Sequence, residues 1–411
     1  MVEQLICNQQ VTSSSLVAGS FLPGRQTPAI MNQVRPSRGR TIGTAVLIGL
    51  VVVLTAFLIT AAGWDSSPRE TLRRLTGGSA RKVLAPKSTA ISSENYGILA
   101  RLDQAGSNNR MLPVPDLRAA LKEVLGVSPV PVIDEEVWAS RFETVERIPV
   151  RAGVSCELAR FESYDGLRVP VYILRPAEFS ENRKYPAVLL FSGHGSAAQA
   201  AYEADSYQRG AGVELAAHGF VVFVMENRGM GRLRYLGDHL RIDAVARLTG
   251  GSWYGELETD ALVLLEAVRH EGWVDEQKIG AAGVSTGGAL SMFTAALDER
   301  VVAAYVQGFL GSFRTTFGKK ADHCLCGHIP GILEVADMAA IAAWITPRPV
   351  CFVNGSEDVF IPDDARTAFE QIRQAYAAQQ VEENAVLVTP NGVGHELTVN
   401  LLLPWFEEHL R

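Results

Sequence analysis

Gly283-Val284-Ser285-Thr286-Gly287-Gly288 is the stretch on which the reading of the fold turns. The apolar segment Lys278 to Ala282 precedes it, and Ala289-Leu290-Ser291-Met292-Phe293 follows. Strand, tight turn and helix are the setting in which G-x-S-x-G lifts a serine hydroxyl clear of a sheet edge. Glycines on either side let strand and helix backbones approach where a Cβ would clash. The expectation is a nucleophilic Ser285.

Such a serine needs a base, and the base needs a carboxylate to orient it. The segments around the turn say where to look. Tyr185 to Phe191, Phe220 to Met225, Val301 to Val306, Val350 to Val353 and Ala385 to Val388 are continuous apolar runs. Helix-compatible segments separate them: Ala198 to His218, the Leu257/Ala261/Leu264/Leu265/Val268 stripe, the Ala365/Phe369/Ile372/Tyr376 stripe, and Leu397 to Leu410. This alternation predicts a mostly parallel, doubly wound sheet covered on both faces. Arg147 to Val150, Cys156 to Phe161 and Gly166 to Leu174 read as antiparallel strands at one edge.

In such a sheet, sites gather at the carboxyl ends of the strands. Asp358 lies just beyond Val350–Val353, after a Gly355 turn. Glu357, Asp363 and Asp364 are nearby rivals, but the last two open a helix, where acids cap and meet the dipole. His395 sits on the glycine-rich loop between the last strand and the last helix. The order Ser285, Asp358, His395 suits a triad on this architecture. An oxyanion hole would use the amide of Thr286 and a second amide from Ser192-Gly193-His194-Gly195-Ser196. His194, Gly195 and Ser196 remain alternatives for that second donor. The His194 side chain is expected to hydrogen-bond backbone rather than act as acid or base.

These residues carry a resemblance. From about Pro115 to Arg411 the chain resembles the α/β-hydrolase superfamily, and within it the dienelactone-hydrolase and acetyl-xylan-esterase-like bacterial esterases. The matching features are His194-Gly195, Glu226-Asn227-Arg228-Gly229-Met230-Gly231, the GVSTGG turn, Gly355-x-x-Asp358 and Gly394-His395. A segment like Asp322 to Gly331 is also found in some of these esterases. The resemblance implies a Ser-His-Asp hydrolase without a cofactor, acting on a small-molecule or carbohydrate ester. A dienelactone hydrolase proper would carry cysteine at position 285, so serine points to ester substrates. A prolyl-oligopeptidase-like peptidase shares the triad order, but the stretch between the apolar span and the hydrolase part is too short for a propeller. A non-catalytic, hydrolase-like binding protein would be expected to have lost a triad residue.

Bulk properties agree with an enzyme. Of 411 residues, 47% are hydrophobic and the net charge is −7, which argues against a nucleic-acid surface. Arg228 is expected to position a loop rather than grip a substrate anion. Five cysteines make no disulfide framework at this length. His323-Cys324-Leu325-Cys326-Gly327-His328 invites a metal reading, but one-residue spacings are too tight for a usual structural zinc site. No metal is expected; that loop, with Phe309 to Phe317, is assigned to the pocket wall.

The first part of the chain reads differently. Residues 1–41 look like a disordered tail, starting at Met1 or Met31. Ile42 to Trp64 contains no charged residue and, at roughly 35 Å as a helix, is long enough to span a membrane. It is read as a transmembrane anchor, or as a signal segment cleaved near Thr60-Ala61-Ala62-Gly63. Residues 65–114 form a tether, and 115–411 the catalytic domain, expected outside the cytoplasm.

Overall fold

The computed structural model describes Leu102 and residues 114–319 and 323–411. The tail, the apolar segment Ile42 to Trp64 and most of the tether lie outside the described residues. None of the described helices is long and apolar enough to cross a membrane.

Among the described residues nine strands form one sheet in the order β1-β2-β3-β5-β4-β6-β7-β8-β9. They are β1 Glu143–Ile148, β2 Val154–Glu162, β3 Arg168–Pro176, β4 Tyr185–Phe191, β5 Val221–Met225, β6 Val274–Val284, β7 Val301–Gln307, β8 Val350–Val353 and β9 Ala385–Val388. β1 to β3 pair antiparallel, and β3 meets β5 antiparallel. From β5 across to β9 every pairing is parallel. The outermost strand β1 is almost wholly exposed and carries Glu143, Glu146 and Arg147, the charged edge that discourages pairing with another chain.

The helices are α1 Val114–Leu125, α2 Glu135–Ala139, α3 Ala197–Ala201, α4 Ala211–Ala217, α5 His239–Leu248, α6 Trp253–Arg269, α7 Thr286–Leu297, α8 Ile332–Val335, α9 Met338–Ala343, α10 Pro362–Ala378 and α11 Val399–His409. They divide between the two faces of the sheet. Successive strand side chains point to opposite faces. Ala187, Leu189 and Phe191 of β4 therefore join one core with α1, α6, α7 and α10, while Val188 and Leu190 join the other with α3, α4 and α11. This is the two-sided burial that makes the parallel strands apolar throughout.

Several boundaries differ from the sequence reading. The expected helix from Ala198 to His218 is two short helices, α3 and α4. Gly210 separates them at φ 56 in the left-handed region, and a Cβ there would sit 2.7 Å from the Tyr202 backbone. The elbow strand begins at Val274, four residues before Lys278, because Tyr185 on β4 continues the pairing. The first edge strand spans 143–148 rather than 147–150. Its polar residues hide the strand from a search for apolar alternation.

Candidate active site

All the residues singled out for chemistry follow carboxyl ends of parallel strands. β6 ends at Val284, and α7 begins at Thr286. Ser285, alone between them, has φ 62 and ψ −123. A non-glycine residue in that region costs about 1–3 kcal/mol and persists only when its surroundings enforce it. Here the enforcement comes from its neighbours. A Cβ on Gly287 would lie 2.0 Å from the Phe191 carbonyl oxygen, and one on Gly283 would lie 2.4 Å from the Gly287 backbone. One on Gly288 would meet the Gln307 carbonyl oxygen at 2.6 Å. Only glycine lets α7 start this close to β4 and β7. Ser285 N–H donates to the Gln307 carbonyl at 2.9 Å, fixing the turn to β7.

Asp358 and His395 are brought together. Asp358 Oδ1 lies 2.8 Å from His395 Nδ1 and also accepts from Phe360 N–H at 3.0 Å. The carboxylate is fully buried, and the imidazole is mostly so. The two loops are laced by backbone bonds: Ser356 N–H to Pro390 O at 3.1 Å and Glu357 N–H to Val393 O at 2.9 Å. Gly392 N–H donates to Ser356 Oγ at 2.8 Å. Gly355 lets them close, since a Cβ there would stand 2.1 Å from the Val393 carbonyl oxygen. The rival carboxylates are engaged elsewhere or exposed. Glu357 is exposed, Asp363 pairs with Arg366, and Asp364 accepts from Ser312 N–H at 2.9 Å. His409, the other histidine beyond the last strand, stacks edge-on against Trp405 at the end of α11.

Three positioning features were not legible as such in the sequence. Gln307, buried at the end of β7, bonds the His395 loop: its Nε2 donates to Thr398 Oγ1 at 2.6 Å and to the Glu396 carbonyl, while its Oε1 accepts from Thr398 N–H at 2.8 Å. Gly308 follows at φ 61, and a Cβ there would press on His395 at 2.9 Å and on Asp358 Oδ2 at 3.2 Å. The imidazole lies nearly parallel to the rings of Tyr207 and Phe360, each 6.2 Å away. From Phe360 an aromatic chain runs on to Phe309 and Phe317. A polar residue closing an apolar strand, Gln307 after Val306, was the one available sign.

The loop after β4 holds His194 and Gly195. Gly193 N–H is taken by Gln208 Oε1 at 2.8 Å and Ala197 N–H by Glu226 Oε1 at 2.8 Å. Those two amides are thereby committed to holding the loop on either side of 194–196. Asn227 Nδ2 bonds the Ser192 carbonyl at 2.9 Å, so Glu226 and Asn227 brace the loop in tandem. Thr286 opens α7, where the first N–H groups have no intrahelical acceptor and the helix dipole favours negative charge.

Arg228 does hold a loop. Its guanidinium bonds Asp260 at 2.7 and 2.8 Å and Asp165 at 2.7 and 3.1 Å, with Glu256 at 3.1 Å. Burial pushes the Asp260 carboxyl up despite this pairing. Asp165, less buried, is brought below its ordinary value by Arg228 against the effect of burial.

The His194 side chain departs from expectation. Its Nδ1 lies 3.0 Å from Thr286 Oγ1 and its Nε2 lies 3.4 Å from Cys326 Sγ, so the ring bridges side chains. His239 Nε2 lies 3.1 Å from Cys324 Sγ. Folding thus brings two histidines from elsewhere in the chain to the cysteine loop, where spacing along the loop alone offers no tetrahedral set. Hydrogen bonding with Cys326 holds the Cys324 thiol well below its ordinary value against the effect of burial, and His194 and His239 add to this.

The family model for acetyl xylan esterase (AXE1) matches residues 141–321, a span that contains Ser285 and ends before Asp358 and His395. A protein of Bacillus subtilis (strain 168) assigned as a hydrolase, YtaP, is 25% identical over 62% of this chain and 91% of its own length. The fold is similar to that of a Bacteroides fragilis NCTC 9343 protein assigned as an acetyl xylan esterase, with TM-score 0.62 and 17% identity over 76% of this chain and 94% of that one. Dipeptidyl-peptidase 5 of Porphyromonas gingivalis is 23% identical over 37% of this chain, which spans only 21% of that peptidase.

Proposed function

We propose that this chain, a serine carboxylic-ester hydrolase with the α/β-hydrolase fold, removes acetyl groups from a carbohydrate. The observation that carries the mechanism is the buried Asp358–His395 bond of 2.8 Å, on loops that neighbour the strained Ser285 turn through Gln307. In this reading Ser285 Oγ attacks the ester carbonyl as His395 Nε2 takes its proton. Asp358 holds the imidazole with its Nδ1 proton directed at the carboxylate and stabilises the imidazolium that forms. The Thr286 amide and one amide from His194, Gly195 or Ser196 receive the oxyanion. His395 then protonates the leaving alcohol, and water, activated by the same base, releases acetate.

The carbohydrate ester is supported by the acetyl xylan esterase match over residues 141–321. The peptidase alternative is favoured only by the partial similarity to dipeptidyl-peptidase 5. Acetate release from acetylated xylo-oligosaccharides separates the two when compared with nitrophenyl esters of increasing chain length and with dipeptidyl amides. The expected order is acetyl esters first, longer acyl chains slower, amides slowest. Faster cleavage of dipeptidyl amides than of any acetyl ester would favour the peptidase.

The uncharged segment Ile42 to Trp64 further suggests a catalytic part tethered to a membrane and facing away from the cytoplasm. Carbonate-resistant membrane association of the full chain supports tethering. A soluble product with a new N-terminus near Gly63 replaces it with secretion.

A further inference from the structure

His194, His239, Cys324 and Cys326 come from three separate parts of the chain, yet their potential ligand atoms all lie within 4.8 Å of one another. His194 follows β4, His239 is the first residue of α5, and the cysteines flank Leu325 on the turn Leu325–Gly327. We infer that these four side chains form a tetrahedral site for a thiophilic divalent cation, zinc by preference. Two sulfurs and two imidazoles are a usual donor set for tetrahedral zinc. With Zn–S near 2.3 Å and Zn–N near 2.0–2.1 Å, neighbouring donors stand roughly 3.3–3.8 Å apart. Of the two His–Cys separations, 3.4 Å falls within that range and 3.1 Å falls short of it by a small shift of a side chain.

The surroundings are organised as an outer layer around such an ion. A metal-bound histidine ordinarily donates its other ring N–H to an oxygen that fixes its orientation. His194, bound through Nε2, places Nδ1 3.0 Å from Thr286 Oγ1. Trp253, fully buried, packs against both imidazoles, with centroids 5.6 Å from His194 and 5.2 Å from His239. The cysteine turn is tied back to α5 by Arg247, which donates to the Leu325 carbonyl at 3.3 Å and to the His328 carbonyl. Arg247 is itself held by Asp243 at 2.6 Å.

The tight Cys-x-Cys spacing is accommodated because only two ligands come from that turn; the other two arrive from distant loops. The ion would be held by both sulfurs as thiolates, which balance its charge, and any thiol proton still present leaves to solvent. The ion would join the loop after β4, the start of α5 and the cysteine turn into one unit. Through Thr286 that unit reaches the residue next to Ser285. The role is structural, and it stands whether or not the ester reading does.

The test is metal analysis of the full chain purified without chelators. About one zinc per chain is expected. Apoprotein titrated with cobalt should develop a thiolate-to-cobalt charge-transfer band and tetrahedral d–d bands. In Cys324→Ser/Cys326→Ser and in His239→Ala, cobalt affinity should fall by at least about 100-fold, beyond what loss of an outer-layer partner usually causes. His328→Ala, on the same loop but outside the cluster, should keep its metal. If the cysteine variants fail to fold, the metal content and cobalt spectrum of the unsubstituted chain decide alone. Metal-free protein that shows no charge-transfer band with cobalt overturns the inference. So does a native mass short of two hydrogens, mapped to a Cys324–Cys326 disulfide, or metal retained in the double cysteine variant.

Discussion

The Ser285 amide donates to the main-chain carbonyl of Gln307 at 2.9 Å, while the Gln307 side chain holds the loop that follows His395 through Thr398 and Glu396. One buried residue at the end of β7 therefore sets two distances at once, from the sheet to the Ser285 turn and from the sheet to the His395 loop.

Gln307→Ala removes only the side-chain half of that arrangement. Four side-chain hydrogen bonds are lost, the one accepted from Tyr305 O–H at 3.1 Å included, and Thr398 N–H is stranded, so stability should drop by about 2–4 kcal/mol. The Ser285 turn keeps its main-chain bond, so substrate binding should change little while kcat falls about 10- to 100-fold through a misplaced imidazole. Urea melts and steady-state kinetics read the two effects separately. An unchanged kcat would mean that the His395 loop is held well enough without Gln307.

The glycines of the elbow make a contrasting pair with one on the surface. Gly287→Ala would drive a Cβ to 2.0 Å from the Phe191 carbonyl, on backbone that cannot move without opening β4. The variant should lose at least about 4 kcal/mol or fail to fold. Gly392→Ala, at φ 71 with nothing within 4 Å of its Cβ, should lose only about 1–2 kcal/mol, the cost of left-handed backbone. Equal melting temperatures for the two would show that the α7 start is looser than its contacts indicate.

How far the sequence could be read follows from what kind of contact each feature needs. The parallel strands were legible because burial on both faces makes them continuously apolar, as in Val221–Met225. β1 was misplaced because an exposed edge strand has no apolar pattern to find. The elbow was legible because its constraint is local: strand, glycine, serine, glycine and helix lie within a few residues. The loops carrying Asp358 and His395 could be placed by their positions after β8 and β9. The bracing by Gln307, Glu226 and Asn227 could not, because its partners are separated by up to 91 residues. The gathering of His194 and His239 around the two cysteines was hidden for the same reason: one-dimensional spacing of Cys324 and Cys326 says nothing of ligands arriving from other loops.

Arg228→Met leaves Asp260 buried without its cation. Breaking a buried pair from one side costs about 3–5 kcal/mol, more than the pair itself contributes. The double variant with Asp260→Asn should regain part of that loss, because the orphaned charge goes with it. Thermal melts of the two singles and the double decide this. A single variant as stable as the parent would mean that Asp165 and Glu256 are not held by Arg228.

Glu258 on α6 is fully buried, accepts from Thr294 Oγ1 at 3.2 Å, and among the described residues its Oε1 has no hydrogen-bond partner. Burial pushes its carboxyl well above the ordinary range, opposed by Thr294 and Lys122 and reinforced by Asp298. The folded chain therefore keeps this proton at pH values where the unfolded chain has lost it, above about 4.3. Stability from this group is present at acid pH and declines as pH rises toward the folded value. Glu258→Gln removes that decline. The variant should match the parent near pH 4 and exceed it in stability at about pH 8. Parallel stability profiles across that range would contradict the assignment.

Ser285 is expected to form the acyl-enzyme. Labelling the full chain with a fluorophosphonate and locating the adduct by peptide mass decides this. The expected result is one adduct per chain on Ser285, none in Ser285→Ala, and labelling about 1,000-fold slower or worse in His395→Ala. An adduct on another residue, or undiminished labelling of Ser285→Ala, would contradict it.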